Sequence, residues 1–296
     1  MIASIVFVLF FAAAVFLFSR NAAKISRNIK LGRKEDRTDR PAERLAIMAR
    51  VALGQSKMVV RPVAGILHIF VYVGFVIINL EVMEIIIDGI LNTHRIFSGY
   101  LGSLYNFLIG SFEWLALAVF VACAIFLVRR NVIKLARFRK PELKGFPATD
   151  ANLILTTEIL LMGAFLSMNA ADLVLQGRGV EHYVQAGSFP VSSLLAPIFE
   201  GFSTEGLVIY ERSAWWFHII GILAFLNYLP YSKHLHIILA FPNTYFSNLK
   251  PKGQFTNDHN VMKEVKLMMD PNADPYAAPT EPAEPVTFGA KDVTDL

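Results

Sequence analysis

Apolar runs long enough to cross a lipid bilayer restrict the folds that this sequence can adopt. A transmembrane helix needs about 20 mainly apolar residues, and only helices or closed barrels satisfy their backbone polar groups in the hydrocarbon core. Of the 296 residues, 54% are hydrophobic, and the mean hydropathy is +0.47. This composition excludes an ordinary soluble domain and predicts an all-α integral membrane protein.

The apolar runs predict a bundle of five transmembrane helices. The predicted spans cover residues 2–19, 62–90, 104–128, 152–175 and 214–236, within a membrane domain over residues 1–246. The fifth helix is expected to run on to Ala240, with Pro230 as a candidate kink. Residues 247–296 contain many Pro and Ala residues with no apolar period, which predicts a soluble tail or linker.

The distribution of basic residues predicts the orientation of the bundle. Of the 28 Lys and Arg residues, 12 lie in residues 20–61, seven in residues 129–150 and six after Tyr231. The exceptions are Arg95, Arg178 and Arg212. The positive-inside rule then places the N-terminus outside and the C-terminus in the cytoplasm of a bacterial inner membrane. The basic loops need no function beyond topology, and we expect no nucleic-acid partner.

The single cysteine limits which redox centres this chain can build. Cys123 lies inside an apolar run. One cysteine can neither ligate an iron–sulfur cluster nor form an internal disulfide, so neither is expected from this chain alone.

Histidines inside apolar segments are the first candidates for a functional site. His218 and His236 are 18 residues apart, which is about five helical turns and roughly 27 Å of rise along one face. His234 falls on nearly the opposite face. Because imidazole is costly in lipid without a partner, these residues predict a buried metal cofactor.

His68 lies early in the second span, at a depth comparable to that of His236 on an antiparallel helix. Two facing imidazoles can hold a haem, and two axial ligands favour electron transfer over oxygen chemistry. The alternative is a hydrogen bond from His68 to a neighbouring helix. His218 is expected near the outer surface, where it could ligate a second haem. His94 and His182 are expected to be solvated surface residues.

Three carboxylates form a stripe in the outer half of the second span: Glu81, Glu84 and Asp88. One interpretation is a proton relay beside a quinone, in which a carboxyl takes the proton released on quinol oxidation. The other is that the three carboxylates lie at the hydrated outer surface of the membrane, with Arg95 or Arg212 nearby. The sequence leaves both interpretations open. Asp172 and Glu113 are weaker candidates of the same kind.

Two segments carry a resemblance to a known family. They are RPVAGILHIFVYVGF at Arg61–Phe75 and WWFHIIGILAFLNYLPYSKHLHIILAFPNTYF at Trp215–Phe246. The pattern resembles the membrane cytochrome b (gamma) subunit of respiratory nitrate reductase. It is more similar to the membrane domain of heterodisulfide-reductase-like iron–sulfur proteins. The likeness covers about residues 2–246.

The resemblance implies haem b ligands. His68 and His236 match the ligands of an inner haem, and His218 matches one ligand of an outer haem. Where the family has the other outer ligand, this chain has Ile78. The outer haem is therefore either absent or ligated by His94 or another group. His234 is a fallback inner ligand.

The resemblance also implies the partners. The lipid-side substrate would be menaquinone or ubiquinone. The segment PVTFGAKDVTDL, residues 285–296, resembles the lead-in to a ferredoxin-like domain. The expected partner is a cytoplasmic iron–sulfur protein, or an iron–sulfur domain later in a longer polypeptide. The sequence thus predicts a quinone-reactive electron-transfer subunit of an oxidoreductase complex. A haem-free membrane anchor and a transporter are the alternatives.

Overall fold

The computed structural model describes residues 2–32, 36–251, 253–254 and 259–271. The helices over this part are α1 Ile2–Ile29, α2 Pro41–Met48, α3 Pro62–Leu91, α4 Ser98–Leu101, α5 Ser103–Leu127, α6 Phe146–Gly177, α7 Ser192–Leu195, α8 Thr204–Tyr228, α9 His236–Tyr245 and α10 His259–Met269. No strand occurs in the described ranges, so the all-α prediction is confirmed for them.

Four of the described helices are long and apolar enough to cross a membrane: α1, α3, α6, and α5 with its continuation to Val132. These correspond to the first four predicted spans. The fifth long helix, α8, has 25 residues, but polar residues including Glu211, Arg212 and His218 lower its mean hydropathy. The fifth span therefore stays a prediction, as does the orientation of the bundle.

The start of α8 differs from the sequence prediction. The helix begins at Thr204 and not near residue 214, so the outer segment before it is shorter than expected. Ser203 provides the cap, because its side chain accepts a hydrogen bond of 3.1 Å from the backbone N–H of Gly206. As a result, His218 lies near the middle of this helix.

The expected continuous helix from residue 214 to Ala240 is wrong. α8 ends at Tyr228, two short 3-10 turns follow, and α9 begins at His236. Asp150 of α6 provides hydrogen-bond acceptors for the turns at this break. It accepts hydrogen bonds from the hydroxyls of Tyr228 at 2.6 Å and Ser232 at 2.7 Å. His218 and His236 therefore do not share a helix face.

The bundle is built by close helix pairs. α5 lies between α3 and α6, α8 packs along α6, and α1 covers α3 and α8. A small residue permits the α3–α5 contact, since a Cβ atom added at Gly74 would lie 2.5 Å from Val119 Cγ2.

Arg44 joins the first basic loop to the segment after α8. It is only 3% exposed and donates hydrogen bonds of 3.0 Å to the carbonyls of Tyr245 and Ser247. α2 and α9 thereby pack together at one end of the bundle. The predicted tail contains α10, and residues 272–296, which include PVTFGAKDVTDL, lie outside the described residues.

Candidate functional site

His68 and His236 meet at the end of the bundle that carries the basic loops. Their ring centroids are 6.4 Å apart, with 42° between the ring planes. His68 lies in the second turn of α3, and His236 is the first residue of α9. The break after α8 allows this approach, because the turns carry the chain back towards the start of α3.

The two rings retain nitrogen atoms that the described chain does not engage. His236 Nδ1 lies 3.0 Å from the carbonyl oxygen of Lys233, which fixes that side of the ring and leaves Nε2. His68 Nδ1 is buried, with no hydrogen-bond partner among the described residues. Such an orphaned buried nitrogen is unusual in a folded protein.

The spacing of these rings fits a shared ion. Two imidazoles that bind one metal ion on opposite sides, with metal–nitrogen bonds of about 2 Å, have ring centroids roughly 6 Å apart. The distance between the two rings is therefore compatible with a haem iron bound between them. No group of three or more His, Cys, Asp or Glu residues in the described ranges is arranged to hold a metal ion.

His234 lies beside this pair. Its ring centroid is 5.6 Å from that of His236 and 5.2 Å from that of Phe225. Its backbone N–H donates a 3.0 Å hydrogen bond to Ser232 Oγ. The structure thus brings three of the predicted histidines together at one end of the bundle.

His218 is separate from that cluster. It is 2% exposed, and its Nδ1 lies 3.0 Å from the carbonyl oxygen of Leu161 in α6. The ring contact made by His218 within the described residues is with Phe165, at 5.9 Å, and not with another histidine. The position of His218 near the outer surface stays a prediction, although α8 begins at Thr204 and His218 lies near the middle of this helix.

The acidic stripe of α3 lies at the opposite end of the bundle. Glu81 and Glu84 are each 4% exposed. They line a cleft of about 30 Å³ together with residues of the 92–97 loop, α6 and α8. This volume admits one or two water molecules and excludes a quinone ring.

Arg95 links the elements around this cleft. Its guanidinium lies 2.7 Å from Asp172 and donates hydrogen bonds to Asn169 at 2.9 Å and to the Tyr105 hydroxyl at 3.3 Å. Burial lowers the pKa of Arg95, but Asp172 and other nearby groups raise it, so it lies well above its ordinary value. Arg95 is therefore a permanent buried cation.

Glu84 and Asp88 are fully engaged by hydrogen bonds. Glu84 accepts from the Tyr105 hydroxyl at 2.8 Å and from the Phe97 N–H at 2.9 Å. Asp88 accepts from the Thr93 hydroxyl at 2.5 Å and from the Arg95 N–H at 2.7 Å. These carboxylates cap the loop between α3 and α4.

Glu81 differs from its neighbours in the stripe. No described residue donates a hydrogen bond to it, and its Oε2 is buried without a partner. It is the member of the stripe whose polar atoms the described fold leaves unsatisfied.

Sequence reasoning missed several members of this network. His94 was expected at the surface, but its side chain is 8% exposed and lies 3.3 Å from Asp172. His182 is exposed, as expected; partial burial and then the charges of His94 and Arg212 lower its pKa below the ordinary value. The sequence did contain a signal for this network. Arg95, Arg178 and Arg212 lie on the predicted outer side, where the positive-inside rule leads us to expect few Lys and Arg residues.

Two curated proteins are similar to this chain. It is 28% identical over 251 residues to the probable iron–sulfur-binding oxidoreductase FadF of Bacillus subtilis, which covers 85% of this chain and 34% of the relative. It is 28% identical over 223 residues to the EtfAB:quinone oxidoreductase of Syntrophomonas wolfei, covering 73% of this chain and 30% of the relative. No family model matches the chain, and no solved structure matches it.

The chain spans about a third of the length of these curated relatives. The name of the first describes an iron–sulfur-binding oxidoreductase, and that of the second describes an oxidoreductase that acts on EtfAB and quinone. Neither name is that of a cytochrome b or a nitrate reductase subunit. The comparisons therefore support the iron–sulfur part of the predicted resemblance and not its nitrate reductase part.

Proposed function

We propose that this chain is a membrane electron-transfer subunit that exchanges electrons between the quinone pool and a cytoplasmic iron–sulfur partner. In this proposal, His68 and His236 hold one b haem at the cytoplasmic end of a five-span bundle. α8 is the fifth span, and the membrane is the bacterial inner membrane. The observation that carries the proposal is the approach of these two imidazoles to 6.4 Å from separate helices.

The names of the two relatives support the choice of an iron–sulfur partner and of quinone as the reactants. One is named for iron–sulfur binding and the other for the reaction of EtfAB with quinone. This chain has one cysteine, so the iron–sulfur clusters belong to a partner protein or to a domain outside residues 1–296. The basic loops 20–61 and 129–150 give that partner a positive docking face.

Hydrogen bonds within the chain orient the residues of the proposed haem site. The contact between His236 Nδ1 and the Lys233 carbonyl holds the ring in one orientation and leaves Nε2 available as a ligand. Asp150 fixes the turn that carries His236, through Tyr228 and Ser232. A haem held by His68 and His236 would supply one-electron transfer.

The proposal includes one haem per chain. The residue in the expected position of a ligand opposite His218 is Ile78, which is buried in the core, and the ring contact of His218 within the described residues is with Phe165 and not with a histidine. We therefore expect His218→Ala to leave the haem content unchanged.

Dithionite-reduced minus oxidised spectra of the purified chain test this proposal. We expect b-type bands in the wild type and their loss in His68→Ala, because one axial ligand is removed. His182→Ala is the matched control, since this exposed histidine lies at the opposite end of the bundle, and it should retain all the haem. His234→Ala should also retain the haem, because His236 provides the second ligand.

The opposite results would identify the alternatives. A wild-type protein without b-type bands would be a haem-free anchor or a transporter. Full haem content in His68→Ala would show that a residue other than His68 is the ligand. Loss in His234→Ala with retention in His236→Ala would make His234 the inner ligand.

A further inference from the structure

The cleft beside α3 contains a single carboxylate that the described fold leaves free. Glu81 is 4% exposed, its Oε2 is buried without a partner, and it lines a space for one or two water molecules. An uncompensated charge is costly at this position in a membrane protein. Glu81 therefore requires either a proton or a ligand from outside the chain.

Every other charged group that faces this cleft has a partner. The groups come from α3, the 92–97 loop, α6 and α8, and they are Glu84, Asp88, His94, Arg95, Asp172, Glu211 and Arg212. Arg95 pairs with Asp172, Arg212 pairs with Glu211, and His94 lies against Asp172. Glu84 and Asp88 accept hydrogen bonds from the loop. On the far side, Glu113 of α5 accepts from the N–H groups of Val191 and Ser192.

We infer that Glu81 is the proton acceptor for quinol oxidation, an inference that rests on the proposed function. A quinol hydroxyl gives its proton to Glu81 through a water molecule in the cleft. The quinol becomes the quinone in two successive steps, each of which releases one proton and one electron. In each step the electron passes to the one-electron carrier of the bundle and on to the iron–sulfur partner, and Glu81 releases its proton to solvent before it accepts the second one.

The geometry of the cleft sets the details of this step. The cavity of about 30 Å³ excludes the quinol ring, so the ring stays outside and a bridging water carries the proton, which is a standard arrangement for general bases. In this arrangement Glu81 is the group that accepts the proton from the bridging water.

The first experiment does not depend on haem. Infrared difference spectra of the full chain in detergent, recorded across a pH titration, should show a carboxylic acid C=O band that shifts in D₂O. We expect Glu81→Gln to remove this band. Glu205→Gln, an exposed carboxylate in the first turn of α8, is the matched control and should retain it. An unchanged band in Glu81→Gln would overturn the inference.

The second experiment measures quinol-driven haem reduction by stopped flow. Glu81→Gln should slow reduction about 100-fold, as expected for loss of a general base, while its dithionite-reduced spectrum stays that of the wild type. Glu81→Asp should recover part of the rate, because a carboxylate is restored. Glu205→Gln should react like the wild type.

The outcomes separate the two proposals. Wild-type quinol kinetics in a haem-replete Glu81→Gln protein would reject the role of Glu81 and leave the electron-transfer function intact. A wild-type protein without haem would reject the electron-transfer function. If the Glu81→Gln protein failed to fold, Glu81→Asp would decide. A shift in the pH dependence of its quinol-driven rate relative to the wild type supports the role of Glu81, and an unchanged pH dependence rejects it.

Discussion

Arg95 is a loop residue whose side chain the fold takes into the bundle. The residue is 7% exposed, and its guanidinium reaches Asp172, Asn169 and Tyr105 on two neighbouring helices. A buried ion pair gains stability only when its hydrogen bonds are complete, and breaking one partner leaves an uncompensated charge. The network around Arg95 meets that condition.

Asp172→Asn should destabilise the protein by roughly 3 kcal/mol, because it leaves the Arg95 guanidinium buried without its anion. Thermal unfolding in detergent, followed by tryptophan fluorescence, measures the change. Glu200→Gln is the control, since this carboxylate is exposed and should leave the unfolding temperature unchanged. Replacing both partners, in Arg95→Met with Asp172→Leu, should recover much of the loss. A single variant as stable as the wild type would contradict the structural role.

The sequence predicted the stripe and the nearby arginines, but not their pairing. Arg95 and Asp172 are 77 residues apart, and no local period indicates which face of α6 meets the loop. The charge pattern did contain a signal. The three cations on the predicted outer side all have partners. Arg95 pairs with Asp172 and Arg212 pairs with Glu211. Arg178 donates hydrogen bonds to carbonyls that include those of Glu200 and Phe202.

At the scale of elements, the contact between α3 and α5 controls where His68 lies. Gly74 of α3 faces Val119 of α5, whose β-branched side chain has little freedom to move aside. Small residues allow membrane helices to approach in this way. The position of α3, and with it the first half of the proposed haem site, depends on this contact.

Gly74→Ala should separate α3 from α5, because the new Cβ would lie 2.5 Å from Val119 Cγ2. We expect a lower unfolding temperature and a reduced haem content. Gly163→Ala is the matched control, since its Cβ would meet only Phe120 at an ordinary 3.8 Å. Adding Val119→Ala to Gly74→Ala should restore both measurements. Failure of that rescue would show that the contact does not set the helix spacing.

The break between α8 and α9 shows what a local pattern omits. Pro230 indicated a kink, but the outcome was a complete stop with two turns before His236. The groups that satisfy this turn come from Asp150, which is about 80 residues earlier. Helix existence was predictable from apolar runs, whereas this boundary depended on tertiary hydrogen bonds.

At the scale of the molecule, the chain has two chemically distinct ends. One end carries the basic loops, Arg44 and the histidines, and the other carries the acidic cleft. In the proposed function, electrons move towards the first end and protons leave from the second. Such a separation is electrogenic, at about 2.3 kcal/mol for each charge moved across 100 mV. It requires that α8 cross the membrane.

Cysteine labelling in intact cells tests the orientation and the fifth span together. Cys123 is fully buried, so the unmodified chain should give no background with a membrane-impermeant maleimide. Leu194→Cys before α8 and Tyr231→Cys after it are exposed positions, at 77% and 64%. We expect Leu194→Cys to label in intact cells and Tyr231→Cys to label only after permeabilisation, as should Val60→Cys in the first basic loop. If Leu194→Cys and Tyr231→Cys labelled alike, α8 would not be a span, and His236 could not lie at the cytoplasmic surface opposite the acidic cleft.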